Sequence, residues 1–170
     1  MRIPKFIIFT GPMFGSKTTR LLAAIDRYNI QQKDVMVFKP KMDTRYSTGK
    51  ITTRNGGSID AHVVDKGSDV RDCVLSKGAT LPDVIAVDEA FMIDDVSETL
   101  IEFYRSGVTI LVSSLDLSAT CSPFDEIVKI LPFATSVEKC TAVCTVCGDD
   151  AYYTHKKFDN DLEIEVGGKN

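Results

Sequence analysis

Apolar residues in this chain come in short continuous runs that alternate with stretches of helical spacing. Residues 5–10 (Lys-Phe-Ile-Ile-Phe-Thr) are apolar without a polar alternate, the pattern of a strand covered on both faces in a parallel sheet. From Thr19 to about Ile30, Leu21, Leu22, Ile25 and Tyr28 form one broad stripe and predict a helix. Residues 35–38 predict a second strand, ended by Lys39-Pro40-Lys41 because proline removes a ladder donor. The polar stretch 43–57 reads as a long loop or an irregular hairpin with 50–53 as one arm, and 62–64 as a further short strand. Ser68 or Asp69 is placed to cap a helix running to about Ser76. Residues 84–88 predict a third buried strand, 95–104 a helix with Val96, Leu100, Ile101 and Tyr104 inward, 108–112 a strand, and 124–131 a short helix stopped near Pro132.

This alternation predicts a three-layer α/β domain with a mainly parallel sheet. The pattern changes near residue 136. After it come three cysteines, a turn at residues 148–150, and two β-rich runs at 151–155 and 162–166. The expected division is therefore an α/β domain over 1–136 and a small β-rich satellite over 137–170.

Composition removes several classes. Among 170 residues, 20 Lys and Arg against 24 Asp and Glu give a net charge of −4. Such mild acidity argues against a protein that coats nucleic acid, though not against a phosphorylated ligand in a local pocket. No run approaches the roughly 20 apolar residues of a membrane span, and the opening residues lack a signal-peptide pattern, so a cytoplasmic location is expected. Five cysteines, three of them crowded together, fit reduced thiols or a metal site better than a disulfide framework.

Chemistry-bearing residues begin after the first strand. Gly11-Pro12-Met13-Phe14-Gly15-Ser16-Lys17-Thr18 stands between strand and helix, the context of a P-loop. In such a loop backbone N–H groups and the helix start surround phosphate, Lys17 reaches its oxygens, and Thr18 offers a hydroxyl to Mg2+. The usual sixth-position glycine is Ser16, with the glycine displaced to Gly15, and an ordinary strand-turn-helix junction is the plainer reading. Asp88 and Glu89 close the apolar run 84–87 at a strand end, where open α/β sheets bind ligands. Asp88 is placed to hold Mg2+. Alternation along the strand sends Glu89 to the other side, where it is placed to take a proton from an attacking hydroxyl. Two solvated acids are the alternative. Arg45 and Arg54 are candidate phosphoryl contacts or simply surface charge.

Cys144-x-x-Cys147 followed by Gly148 has the form of a zinc knuckle. Cys140 and His155 are candidate third and fourth ligands. Alternatively the second pair lies beyond Asn170, or the thiols are free.

Together these segments resemble the type II thymidine kinases, small deoxynucleoside kinases of bacteria, animals and large DNA viruses. The loop 11–18 resembles the family's G-x-M-[FN]-x-G-K-[ST]. Asp43-Thr-Arg-Tyr46 matches its D-x-R-[YF], and Thr52-Thr-Arg-Asn-Gly56 its [ST]-[ST]-R-x-G. Asp88-Glu-Ala-Phe-Met92 is similar to D-E-[AGC]-Q-F, with Phe91 where Gln is usual. Leu115 to Phe124 follows L-D-x-x-F-x-x-x-x-F, with Ala119 and Cys121 at positions where an aromatic and an Arg are common. Lys139 to Cys147 follows K-L-T-A-x-C-x-x-C, and Glu163 to Gly168 partly matches V-x-x-G-G-x-x-x-Y. The resemblance implies ATP-dependent, Mg2+-supported phosphorylation of the thymidine 5′-hydroxyl. Residues 11–18 and Asp88 would bind ATP, with Thr18 and Asp88 serving Mg2+ and Glu89 acting as base. Asp43, Arg45, Arg54, Phe91, Phe124, Tyr153, Val166, Gly167 and Gly168 would lie about the nucleoside. It further implies a zinc-ribbon-like satellite with a lasso loop, continuing past Asn170 through a tyrosine and a second zinc pair. A homotetramer or homodimer and inhibition by dTTP are also implied. A nucleotide-binding homologue without kinase activity and an unrelated P-loop ATPase are the alternatives.

Overall fold

The computed structural model describes residues 3–43 and 49–156. Six strands form one sheet: β1 (Phe6–Thr10), β2 (Val35–Pro40), β5 (His62–Val64), β6 (Val84–Val87), β7 (Thr109–Ser114) and β8 (Ser136–Lys139). Their spatial order is β5-β2-β6-β7-β1-β8, and each neighbouring pair is parallel. Between β2 and β5 an antiparallel arm is made by β3 (Lys50–Thr52) and β4 (Ser58–Asp60), so the irregular-hairpin reading of this stretch is the one adopted. A two-stranded ribbon joins β9 (Ala142–Val143) to β10 (Asp150–Ala151).

The continuous apolar runs become central strands because both faces are covered. Phe6, Ile8, Ile85, Val87, Ile110 and Val112 face one way. They meet Val70 and Val74 of α2 (Gly67–Ser76), Leu100 and Phe103 of α3 (Val96–Arg105), and Ile127 and Ile130 of α4 (Asp125–Ile130). The alternate residues Phe9, Val84, Ala86 and Leu111 face Leu21 and Ile25 of α1 (Lys17–Ile30), together with Ile51 of the arm. Period-two alternation thus splits one set of strands between two cores, giving helices on both sides of the sheet.

Three details differ from the sequence reading. The sheet does not end near residue 136: β8 pairs with β1, and the Cys140 N–H donates to the Thr10 carbonyl at 2.7 Å. Helix α2 begins one residue before Ser68, behind Lys66. Asp69 closes its start from inside the first turn, accepting the Asp65 and Lys66 N–H groups at 2.9 and 3.1 Å. Of the run 151–155, only Ala151 is strand, and the run 162–166 lies outside the described residues.

Candidate active site

The site stands at the carboxyl ends of β1, β7 and β6. Loop 11–18 leaves β1 and folds back against the chain that follows β8. A β-carbon at Gly11, whose φ is +135°, would overlap the Cys140 carbonyl oxygen, and one at Gly15 would lie 3.3 Å from the Cys140 β-carbon. Only glycine fits Gly11, and Gly15 stands where space is also tight. Phe14 and Ser16 pay for this path with φ of +66° and +60°.

Lys17 opens α1 and turns inward, only 7% exposed, its Nζ donating to the Pro12 carbonyl at 2.6 Å. Burial lowers its ammonium pKa below the ordinary lysine range, while the Glu89 and Asp88 charges pull it back up. The next residue, Thr18, donates its hydroxyl to the two Asp88 carboxylate oxygens at 3.0 and 3.3 Å. Ser113, on the intervening strand β7, also donates to Asp88. The Asp88 N–H is fixed by the Phe38 carbonyl at 3.0 Å.

Glu89 does not reach its place by strand alternation. Strand β6 ends at Val87, and Glu89 turns left-handed (φ +49°) into a 3-10 turn over Ala90–Met92. Both acids are buried, Asp88 at 4% and Glu89 at 8% exposure, and their charges act on Lys17 through space. A buried ammonium beside two carboxylates and a hydroxyl can bind an anion, place oxygen donors for a divalent cation, and accept a proton.

Around this centre the other predicted residues fall in several places. Phe91 stacks on Phe124 with centroids 4.6 Å apart, its N–H held by the Ser114 hydroxyl at 3.1 Å. Arg54, at the tip of the β3–β4 arm, lays its guanidinium 4.0 Å over the Phe14 ring. Asp43 pairs with Lys39. Tyr153 is exposed, but its neighbour Thr154 accepts the Met13 N–H at 3.0 Å and so ties the chain beyond the ribbon to loop 11–18. Arg45, Val166, Gly167 and Gly168 lie outside the described residues. Ser113, Thr154 and Lys39 went unnoticed in the sequence. A single serine or threonine carries no spacing signal, and Lys39 reads there only as the end of a strand.

The thiols do not assemble as expected. Cys144 is held by local bonds, with the N–H groups of Cys147 and Val146 and the Cys147 thiol lowering its pKa. Cys140 instead lies buried with Phe9 and Leu21 beside loop 11–18, where desolvation raises its thiol pKa. His155 is exposed. Among the described residues no three His, Cys, Asp or Glu side chains come together as a metal-binding group. Among the described residues Cys140 and His155 therefore do not join Cys144 and Cys147 in one tetrahedral site, and the pair Cys144 and Cys147 supplies two of the four donors that a structural zinc needs.

The thymidine kinase family profile matches residues 5–170. The chain belongs to the thymidine kinase family. A thymidine kinase of Pseudothermotoga lettingae is 31% identical over 167 residues, covering 97% of this chain and 88% of that one. Those of Thermococcus kodakarensis and Pyrobaculum aerophilum are each 34% identical, over 95% and 88% of this chain and 86% and 80% of theirs. The chain is thus an enzyme of this family. Among the described residues no helix is long and apolar enough to cross a membrane.

Proposed function

We propose that this enzyme is a type II thymidine kinase that transfers the γ-phosphoryl group of ATP to the 5′-hydroxyl of thymidine. The observation that carries the reading is the cluster at the carboxyl rim of the sheet: buried Lys17, Asp88 and Glu89, with the half-buried Thr18 hydroxyl bonded to Asp88. Phosphoryl transfer needs placement and charge stabilisation more than covalent help from the protein. Loop 11–18 acts as the phosphate-binding P-loop, and Lys17 leaves the Pro12 carbonyl to meet phosphate oxygens. The Thr18 hydroxyl and Asp88 carboxylate, already in contact, are a hard-oxygen donor pair suited to Mg2+. Mg2+ supplies positive charge against the phosphate oxygens. Glu89 takes the proton as the nucleoside oxygen bonds to phosphorus and the bond to the ADP oxygen breaks.

Asp43, Arg45, Arg54, Phe91, Phe124 and Tyr153, with Val166-Gly167-Gly168, are assigned to the nucleoside side by resemblance. Inhibition by dTTP, a homotetramer or homodimer, and a cytoplasmic location belong to the same reading. Incubation with ATP, Mg2+ and thymidine should yield thymidine monophosphate and ADP in equal amounts, separated by ion-exchange chromatography. Tight ATP binding without transfer would select the alternative of a non-catalytic nucleotide-binding homologue, which Ser16 at positive φ favours. ADP release independent of any nucleoside would select an ATPase.

A further inference from the structure

We propose that Lys39 is a positioning residue for the transfer reaction, a buried pin that fixes the β3–β4 arm and the Asp43 carboxylate at the carboxyl rim; this rests on the kinase reading above. Lys39 is 2% exposed, a rare state for lysine without partners. Its Nζ donates to the Lys50 carbonyl at 3.1 Å and pairs with the buried Asp43 carboxylate at 3.7 Å. These partners lie on either side of residues 44–48, so one ammonium joins the chain before that stretch to the first residue of β3. A methionine would fill similar space, and buried ion pairs are in general no more stabilising than apolar packing of the same volume. What the ammonium adds is direction: several donors on one head, tying two chain ends to β2.

The connection continues toward the chemistry. Lys50 pairs with Asp60 across the arm, and the Ala61 N–H donates to the Gly49 carbonyl at 2.9 Å. At the tip, the Thr53 N–H donates to the Gly57 carbonyl at 2.7 Å, and the Gly57 N–H to the Thr53 hydroxyl at 3.0 Å. That turn presents Arg54 to Phe14 of loop 11–18. One residue before Lys39, the Phe38 carbonyl holds the Asp88 N–H. Strand β2 therefore anchors Asp88 through Phe38 and the arm through Lys39, and sets the distance between them.

The test compares the parent with Lys39→Met in steady-state kinetics and amide hydrogen exchange. Loss of the pin should quicken exchange at the Thr53 and Ala61 amides by about tenfold or more, leaving Ile110 in β7 and Cys140 just past β8 unchanged. It should lower kcat by about 10- to 100-fold, with KM for ATP within about threefold, because small misplacement far from the reacting atoms is costly to turnover. Unchanged exchange in the arm, or quickened exchange with parental kcat, would overturn the proposal. Should Lys39→Met fail to fold because Asp43 is left charged and buried, Lys39→Met/Asp43→Asn removes both charges and is compared with Asp43→Asn alone under the same criteria. A parent that phosphorylates no thymidine sinks the kinase reading separately, and the exchange rates then decide the pin on their own.

Discussion

The centre around Lys17 and the turn around Cys144 both come from residue spacing, yet the fold holds them in opposite ways. At the centre, partners are far apart in sequence: Thr18 and Ser113 meet Asp88, Met13 meets Thr154, and Gly11 packs on Cys140. The cysteine turn is local. The Gly148 N–H donates to the Cys144 carbonyl, the Cys144 N–H to the Asp149 carbonyl, and Val146 at the apex is 94% exposed. Local geometry suffices to pair two thiols. A four-donor site needs further ligands brought in by tertiary structure, which the described residues do not supply. Long-range packing, by contrast, brings the Lys17 centre together.

The largest test of this contrast is Glu89→Gln. Loss of the proposed proton acceptor should cut kcat by about 10²- to 10⁴-fold, with KM for ATP within about twofold in steady-state assays. A parallel loss of ATP affinity would move Glu89 from the hydroxyl to the phosphate side. Next, Ser113→Ala removes a donor to a buried carboxylate and should lower unfolding free energy by about 1.5–3 kcal/mol, read from urea titration. Ser16→Gly relieves a left-handed backbone at a serine and should raise stability by roughly 0.5–1 kcal/mol in the same titration. An unchanged midpoint would mean that loop 11–18 holds Ser16 without strain. Smallest is Cys144→Ser, expected within about 0.5 kcal/mol of the parent because its contacts are local. A larger loss would reveal a bound metal holding the turn. Independently, iodoacetamide near neutral pH should alkylate Cys144 well before Cys73 and Cys140, whose thiol pKa values burial raises, as peptide mass analysis would record.

The parallel sheet was legible because β1, β2, β6 and β7 are buried on both faces and write themselves as unbroken apolar runs. Strand β8 was not. Its sequence Ser-Val-Glu-Lys lies at the sheet edge, where one side meets solvent and the apolar signal fades. Asp88 and Glu89 were singled out, and the structure sets both at the carboxyl rim, but alternation was the wrong reason for the position of Glu89, since a backbone reversal after Val87 leaves no trace in hydropathy. Arg54 was singled out without any hint that it rests on Phe14. Lys39 looked like the end of a strand, because nothing in a linear pattern shows that the carbonyl of Lys50 folds over it.

One property of the sheet reaches beyond chemistry. Since all six strands run the same way, the turns feeding their amino ends gather on the rim opposite the site. Gly78 and Gly107 sit in two of these turns, before β6 and β7, with open space around each. The length of β7, about 20 Å at roughly 3.3 Å per residue for its six residues, separates that rim from Asp88. Fluorophores, affinity tags or surface tethers attached at the exposed neighbours Ala79 and Ser106, rather than at the two glycines whose φ of +134° and +94° resists a side chain, would leave the working face unencumbered and give natural handles for immobilising the enzyme.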